Sequence, residues 1–358
     1  MKKERSRSSR LMKDSTRAGD HLIHGLTGMH GILPETEQCQ ILATHIIELI
    51  NKKTGRDDFM RDILFLIKLV TGLEAAGIRL KEGDDYPYVE TMGFSGNFIK
   101  AENYLCARDP AGNLIRDDNG NPLLECMCGN IICGRTDASL PFFSDGGSFW
   151  TNSTSDLLAS TSEEDRQGQT RNHCNRAGYE SVALIPLRCD EKIIGLLQLN
   201  DRRRDMFTGR LIRFFESIGS GIAMALNFKQ RESCNPARTN APHSNEMIIT
   251  FHDADFNIIS ANETAKKILG LPPLDGAEIK CYTYYHGRDY PPKNCPSCKC
   301  LLSREPVFFE LFEPHLNKHI EIRAFPQFDE NDKFTGLIHF VRDKSGELHV
   351  SDQGYSKR

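Results

Sequence analysis

The chain has 358 residues, with an apolar share of 39%, a charged share of 26% and a formal net charge of −4. These values are typical of a folded protein of two domains and give no general attraction to nucleic acid or anionic membrane. The longest apolar runs are interrupted by charged residues well before membrane length. We therefore expect a cytoplasmic protein that binds neither nucleic acid nor membrane.

The N-terminal segment, residues 1–33, is polar and basic and lacks an apolar core. We interpret it as a disordered, solvated tail rather than a signal peptide. Residues 34–56 then place apolar side chains on one stripe, which predicts an N-terminal helix. A second helix is predicted after the acidic turn at Asp57 and Asp58, and it ends at Gly72.

A first domain is predicted over residues 57–228. Strand-like runs occur at residues 76–80 and 88–92, followed by a surface loop at 108–122 that is rich in turn-forming residues. A hairpin with arms at 179–187 and 193–199 comes next, and an amphipathic helix at 211–228 closes the domain. Residues 229–245 have the composition of a linker.

A second domain is predicted over residues 246–344, with 345–358 as a disordered tail. Two strands at 247–251 and 257–260 precede a helix that Asn262 caps and Gly270 ends. A cysteine-rich loop with a short helix follows, and strands at 307–312, 318–325 and 336–341 complete the domain. The predicted fold class is α+β, with two domains that each form an antiparallel β-sheet flanked by helices, after the N-terminal helices.

The cysteine-rich loop carries the densest chemistry in the sequence. Cys281, His286, Cys295 and Cys298 are four thiol and imidazole ligands within a short stretch, with Cys300 in addition. Cys-x-x-Cys is a common spacing at tetrahedral metal sites, so these four residues are candidate ligands for zinc or an iron–sulfur cluster. Pro296 is expected at the first position of a helix, where the helix dipole favours a Cys295 thiolate.

Two alternatives to a metal site remain open for this cluster. One is a metal-free thiol switch with Cys295 and Cys298 as the redox pair. The other is a set of incidental cysteines in a loop. Lys299 follows Cys298, so the usual motif for covalent haem attachment is absent.

A second group of cysteines lies in the first domain. Cys126, Cys128 and Cys133 are close in sequence, and Cys174 is a candidate to join them in the folded chain. A Cys-x-Cys pair is a poor zinc site alone, but three thiols permit redox chemistry. These cysteines are also predicted to bind a ligand, in an apolar pocket lined by Phe142, Phe143, Phe149 and Trp150. The alternative is that these aromatic side chains form core beneath a long loop.

Two stretches resemble small-ligand sensor folds. Residues 180–188 (ESVALIPLR), 194–200 (IGLLQLN) and the Phe207-Thr208 pair are similar to a GAF domain over residues 57–228. Residues 249–262 (ITFHDADFNIISAN) and 336–343 (GLIHFVRD) are similar to a PAS domain over residues 246–344. The pair of domains resembles the sensory input region of bacterial and archaeal histidine kinases. Such folds host many ligands. The resemblance therefore implies the architecture of the two domains and says less about their function.

The resemblance implies a sensor in a two-component system. It would detect a small ligand, a metal or a redox state and pass the signal to a separate histidine kinase or other output protein, as a homodimer. Residues 344–358 are too few for a kinase module, and no cyclase or phosphodiesterase signature is recognisable. The alternative function is a thiol-dependent enzyme on the GAF fold, such as a free methionine sulfoxide reductase.

Overall fold

The computed structural model describes residues 34–345, except residues 53, 169, 190–191, 235–246, 275–277, 294 and 329–332. The predicted tail at 1–33, residues 346–358 and most of the predicted linker lie outside the described residues. Two helices, α1 (Glu35–Asn51) and α2 (Arg56–Thr71), begin the described part and confirm both predicted helices. Gly72 ends α2 in the left-handed conformation (φ 66°) that a helix terminus of this type requires.

The first unit contains a five-stranded antiparallel sheet with the order β2-β1-β5-β4-β3. Its strands are β1 (Ala75–Leu80), β2 (Tyr88–Met92), β3 (Phe149–Thr151), β4 (Ser181–Cys189) and β5 (Lys192–Asp201). Strands β1, β2, β4 and β5 confirm the sequence predictions, and β3 was not predicted.

Helices cover both faces of this sheet. On one face, α1, α2 and the long helix α7 (Gly209–Cys234) pack against side chains such as Ile78, Ile185 and Leu197. On the other face lie four short helices that the sequence did not predict: α3 (Gly96–Glu102), α4 (Cys126–Ile132), α5 (Thr154–Ser160) and α6 (His173–Arg176). Helix α7 continues past its predicted end at residue 228, into the segment interpreted as linker.

The second unit contains another five-stranded antiparallel sheet, with the order β7-β6-β10-β9-β8. Its elements are β6 (Ile248–Asp253), β7 (Ile258–Ala261), α8 (Glu263–Leu269), α9 (Cys281–His286), α10 (Pro296–Ser303), β8 (Val307–Glu313), β9 (Lys318–Phe328) and β10 (Phe334–Asp343). Asn262 caps α8, as predicted, because its side chain accepts a hydrogen bond from the Ala265 backbone N–H at 2.8 Å. The α+β fold class with two antiparallel sheets is confirmed.

The second sheet packs one face against the helices of the first unit. Ile249, Phe325 and Phe340 belong to the same buried cluster as α1 and α7. A Cβ atom at Gly221 of α7 would lie 2.6 Å from the Phe340 ring, so this close approach of helix and sheet requires glycine. Because successive side chains of a strand point to opposite faces, the neighbours of these residues face away from α7.

Candidate functional site

A cavity of about 230 Å³ lies between the other face of the second sheet and the helices α9 and α10. Its apolar wall is formed by Leu301, Phe309, Leu311, Ile320, Ile322 and Leu337. Its remaining wall is polar and includes thiols, imidazoles and a carboxylate. An apolar chamber with a few convergent polar groups is typical of a small-molecule site.

The four residues predicted as metal ligands all line this cavity. Cys281 and His286 occupy the two ends of α9, and Cys295 is the N-cap of α10, whose first position is Pro296 as predicted. Cys298 and His286 both lie close enough to Cys295 to shift the pKa of its thiol. Folding therefore brings the cysteine-rich loop together into one site.

A carboxylate that the sequence did not suggest completes this arrangement. Glu313, the last residue of β8, accepts a hydrogen bond from His286 Nδ1 with a distance of 2.6 Å to its Oε2. The backbone N–H of His315 donates to the other oxygen of Glu313 at 3.1 Å. Glu313, His286 and Cys295 thus form a relay in which a fixed carboxylate orients an imidazole beside a thiol, the arrangement that activates nucleophiles in many enzymes.

The electrostatics of the relay favour an ionised Cys295. The hydrogen bond from Cys298 is the largest cause of a pKa of Cys295 well below its ordinary value, and His286 lowers it further. The same interaction with Cys295 raises the pKa of Cys298. Burial alone would lower the pKa of His286, but the bonds and charges of Cys295 and Glu313 outweigh burial and raise it. Thiolate and imidazolium therefore stabilise one another.

A second group of polar side chains at the cavity is neutral and buried. His252 Nε2 lies 2.7 Å from Thr250 Oγ1, which in turn lies 2.9 Å from the Tyr285 hydroxyl. His339 Nε2 lies 2.9 Å from Ser297 Oγ, while its Nδ1 is buried without a hydrogen-bond partner among the described residues. Burial lowers the pKa of His252 to about 3 and lowers that of His339 as well, so both rings are uncharged at neutral pH.

A sequence pattern marked His252 and His339 as candidates for this site. His252 and His339 each interrupt an apolar strand, and both alternate with residues that face α1 and α7. A buried histidine in a strand is usually a satisfied core residue, and sequence alone does not show that β6 and β10 are neighbours. Their pairing in the sheet brings the two rings to 5.2 Å between centroids.

The arrangement of the predicted ligands bears on the metal prediction. Among the residues that the structure describes, no three His, Cys, Asp or Glu side chains are arranged to hold one metal ion. His286 bonds to Glu313 through Nδ1, which leaves its other ring nitrogen on the side of the cysteines and not engaged by Glu313. Zinc or an iron–sulfur cluster at these residues stays a prediction.

A second thiol cluster lies in the first unit. The Cys128 thiol donates a hydrogen bond to Gln198 Oε1 at 3.7 Å, and Cys126 lies beside Cys128 at the start of α4. Gln198 Nε2 donates to Cys174 Sγ at 3.6 Å, so Cys174 joins the group. The hydrogen bond from Cys128 lowers the pKa of Cys126 to about 7, and burial raises that of Cys174 to about 12.

The other residues predicted for the first unit lie elsewhere. Cys133 is exposed, unlike Cys126 and Cys128. The predicted aromatic pocket is packed as core: Phe142, Phe143 and Phe149 are buried in one cluster, and Trp150 packs on the opposite side of the sheet. None of these aromatic residues lines the cavity described above, and ligand binding by the first unit stays a prediction.

Solved structures similar to this chain are GAF domains and GAF-fold enzymes. The GAF domain of a phosphoenolpyruvate-protein phosphotransferase from Acinetobacter is 13% identical, with a TM-score of 0.37 over 56% of this chain and 97% of that one. A free methionine-R-sulfoxide reductase from Neisseria meningitidis is 11% identical, with a TM-score of 0.36 over 53% of this chain and 89% of that one. A domain described as part of a two-component sensor histidine kinase from Sinorhizobium meliloti is 15% identical, with a TM-score of 0.33 over 53% of this chain and 100% of that one.

No protein-family model matches the sequence, and no curated protein matches it. The similarities to solved structures carry no argument about activity. In the part of the chain that the structure describes, every helix is too short or too polar to span a bilayer.

Proposed function

We propose that the chain is a cytoplasmic signalling sensor whose input site is the thiol-lined cavity of the second unit. In this proposal the first unit is a GAF module and the second a PAS module. The observation that carries it is the Glu313–His286–Cys295 relay, with Cys298 in contact, inside a cavity of about 230 Å³. A reactive thiol in a chamber of this size is suited to detect a small molecule or a redox state.

The second sheet supplies a route from this cavity to the first unit. His339 and Leu337 on β10 line the cavity, whereas Ile338 and Phe340 on the same strand pack with α1 and α7. A ligand that displaces β10 would therefore disturb the packing of α7. We propose that α7 presents the signal to a separate output protein, a histidine kinase in a two-component system, within a homodimer.

The site is tested by the reactivity of its thiols in protein purified without oxygen. We expect little bound metal, and we expect methyl methanethiosulfonate to modify Cys295 at least about tenfold faster than Cys281 in the same cavity. A Cys133→Ser background removes, as a competitor, the exposed thiol among the cysteines whose side chains the structure describes. Stoichiometric zinc or iron that is lost in Cys295→Ser would favour the metal site instead, and equal rates at Cys295 and Cys281 would contradict the proposal.

A second candidate function is favoured by the thiol cluster of the first unit. Cys128 and Cys174 both contact Gln198, and Cys126 lies beside Cys128, so three thiols are close enough for thiol-dependent reduction. Turnover of free methionine sulfoxide with a thiol reductant would establish this activity. Binding without turnover would exclude it.

A further inference from the structure

The cavity of the second unit has a charged mouth and a buried interior. Arg288 and His315 line the cavity and are both exposed, so they lie where it opens to solvent. Ile320, Ile322 and Leu337 line it as well, and each is at most 3% exposed, so these side chains lie inside. A cationic side chain is therefore placed at the opening of the cavity, and aliphatic surface lies deeper within it.

Two segments of the chain meet at this mouth. The end of α9 is joined to the end of β8, because His286 Nδ1 lies 2.6 Å from Glu313 Oε2. The residues that follow are also in contact, since a Cβ atom at Gly287 would lie 2.5 Å from His315 Nδ1. Arg288 comes directly after Gly287, so the same contacts hold its backbone at the opening.

The guanidinium of Arg288 has no anionic partner at this mouth. Among the described residues it bonds to no carboxylate or carbonyl oxygen, and it contacts the face of the Tyr290 ring, with 5.9 Å from Cζ to the centroid. The two oxygens of Glu313 are engaged elsewhere, by His286 and by the backbone N–H of His315. Because a guanidinium presents a planar fork of N–H donors that matches a carboxylate, these free donors favour a carboxylate ligand.

The interior of the cavity favours an apolar body on that ligand. Its buried polar side chains already bond to one another: His252 to Thr250, Thr250 to Tyr285, and Ser297 to His339. They therefore leave little need for further polar groups on a ligand. The aliphatic side chains of β9 and β10 beside them would remove apolar atoms of a ligand from water.

The volume of the cavity limits the size of this body. A dry cavity of about 150 Å³ is enough to hold benzene. The cavity of the second unit has about 230 Å³. It therefore has room for one ring, or for a chain of about five or six carbons, together with a carboxylate. A long-chain fatty acid would not fit.

We propose that this cavity binds small monocarboxylic acids with an apolar body, and that Arg288 at the mouth binds the carboxylate. This inference rests on the proposed function, because it names the class of molecule that enters the same input site. The carboxylate stays at the opening, and the ring or short chain enters the interior. Cys295 lines the same cavity, so a bound ligand should shield its thiol.

The probe for this proposal is phenylacetate, and phenylacetamide is its neutral counterpart of nearly the same shape. Isothermal titration calorimetry on the reduced full chain should show phenylacetate binding at least about tenfold more tightly than phenylacetamide. Arg288→Gln should weaken phenylacetate binding by at least about tenfold and leave phenylacetamide binding unchanged. Arg288→Lys should recover part of the affinity, since lysine keeps the charge but not the planar fork.

Arg304→Gln is the matched control. Arg304 is also exposed and also follows a short helix, α10, but it does not line the cavity. We expect this variant to bind both ligands as the unmodified chain does. Bound phenylacetate should also slow the modification of Cys295 by methyl methanethiosulfonate, as followed by peptide mass mapping, and leave the exposed Cys133 of the first unit unaffected.

Three results would overturn the proposal: equal affinity for the two ligands, phenylacetate binding that Arg288→Gln leaves unchanged, or phenylacetate binding that a metal chelator abolishes. The two proposals fail separately. If neither ligand binds but Cys295 still reacts faster than Cys281 with methyl methanethiosulfonate, only the ligand class is wrong. If neither ligand binds and the two cysteines react at equal rates, the proposed input site is wrong as well.

Discussion

Replacing Phe340 with alanine should destabilise the protein by about 3–5 kcal/mol, the usual cost of removing a buried phenylalanine. Phe340 is 2% exposed and packs at the contact between the second sheet and α7. Its ring also meets Phe325 edge-to-face, with 5.9 Å between ring centroids. The truncation leaves a cavity between α7 and the second sheet. These two elements already lie in close contact, so small shifts cannot fill the cavity.

Urea denaturation followed by circular dichroism measures this loss, and Trp150, the single tryptophan, reports on the first unit by fluorescence. The matched control is Phe308→Ala on the edge strand β8 of the same sheet, since Phe308 is 57% exposed. We expect the control to cost less than about 1 kcal/mol. Similar losses in the two variants would show that the sheet does not depend on α7 for its stability.

Acid should destabilise the second unit through His252. Burial disfavours the charged ring and lowers the pKa of His252 from its ordinary value of 6.5 to about 3 in the folded chain. Below pH 6.5 the unfolded chain binds a proton that the folded chain does not, so the stability present above pH 6.5 is lost as pH falls toward 3. The expected slope from this residue is about 1.4 kcal/mol per pH unit in that window.

His339 adds to this acid sensitivity, since burial, followed by the charges of His252 and His286, lowers its pKa too. The measurement is the urea midpoint between pH 7 and pH 4 for the unmodified chain and for His252→Gln, which keeps polar atoms but does not titrate. We expect a shallower pH dependence in the variant. The exposed His319→Gln is the control, and a dependence that is equal in all three proteins would contradict the assignment.

The sequence was informative where apolar periodicity ran long enough. Helices α1, α2 and α7 and the strands of both sheets, β3 excepted, follow directly from that periodicity. The short helices α3 to α6 each span seven residues or fewer, less than the window in which a helical repeat becomes visible. Tertiary contacts with the sheet stabilise them rather than their own pattern.

The candidate site was predictable in part. The spacing of Cys281, His286, Cys295 and Cys298 indicated a shared site, because the four residues are close in sequence. Glu313 and His339 were not found, since each lies on a later strand and reaches the cavity only through sheet pairing. Cys174 was named as a candidate partner of the first-unit thiols, but its place beside Gln198 depends on the packing of α6 on β5 and does not follow from its spacing.

Modification of Cys295 should change the packing of α7, and hydrogen exchange measures this change. Exchange would be followed by mass spectrometry before and after methylthiolation of Cys295 in the Cys133→Ser background, with Cys295→Ser treated in parallel. We expect altered exchange in β10 and in α7 near Gly221, and no change in the Cys295→Ser protein. Changes confined to α9 and α10, with α7 unaffected, would contradict it.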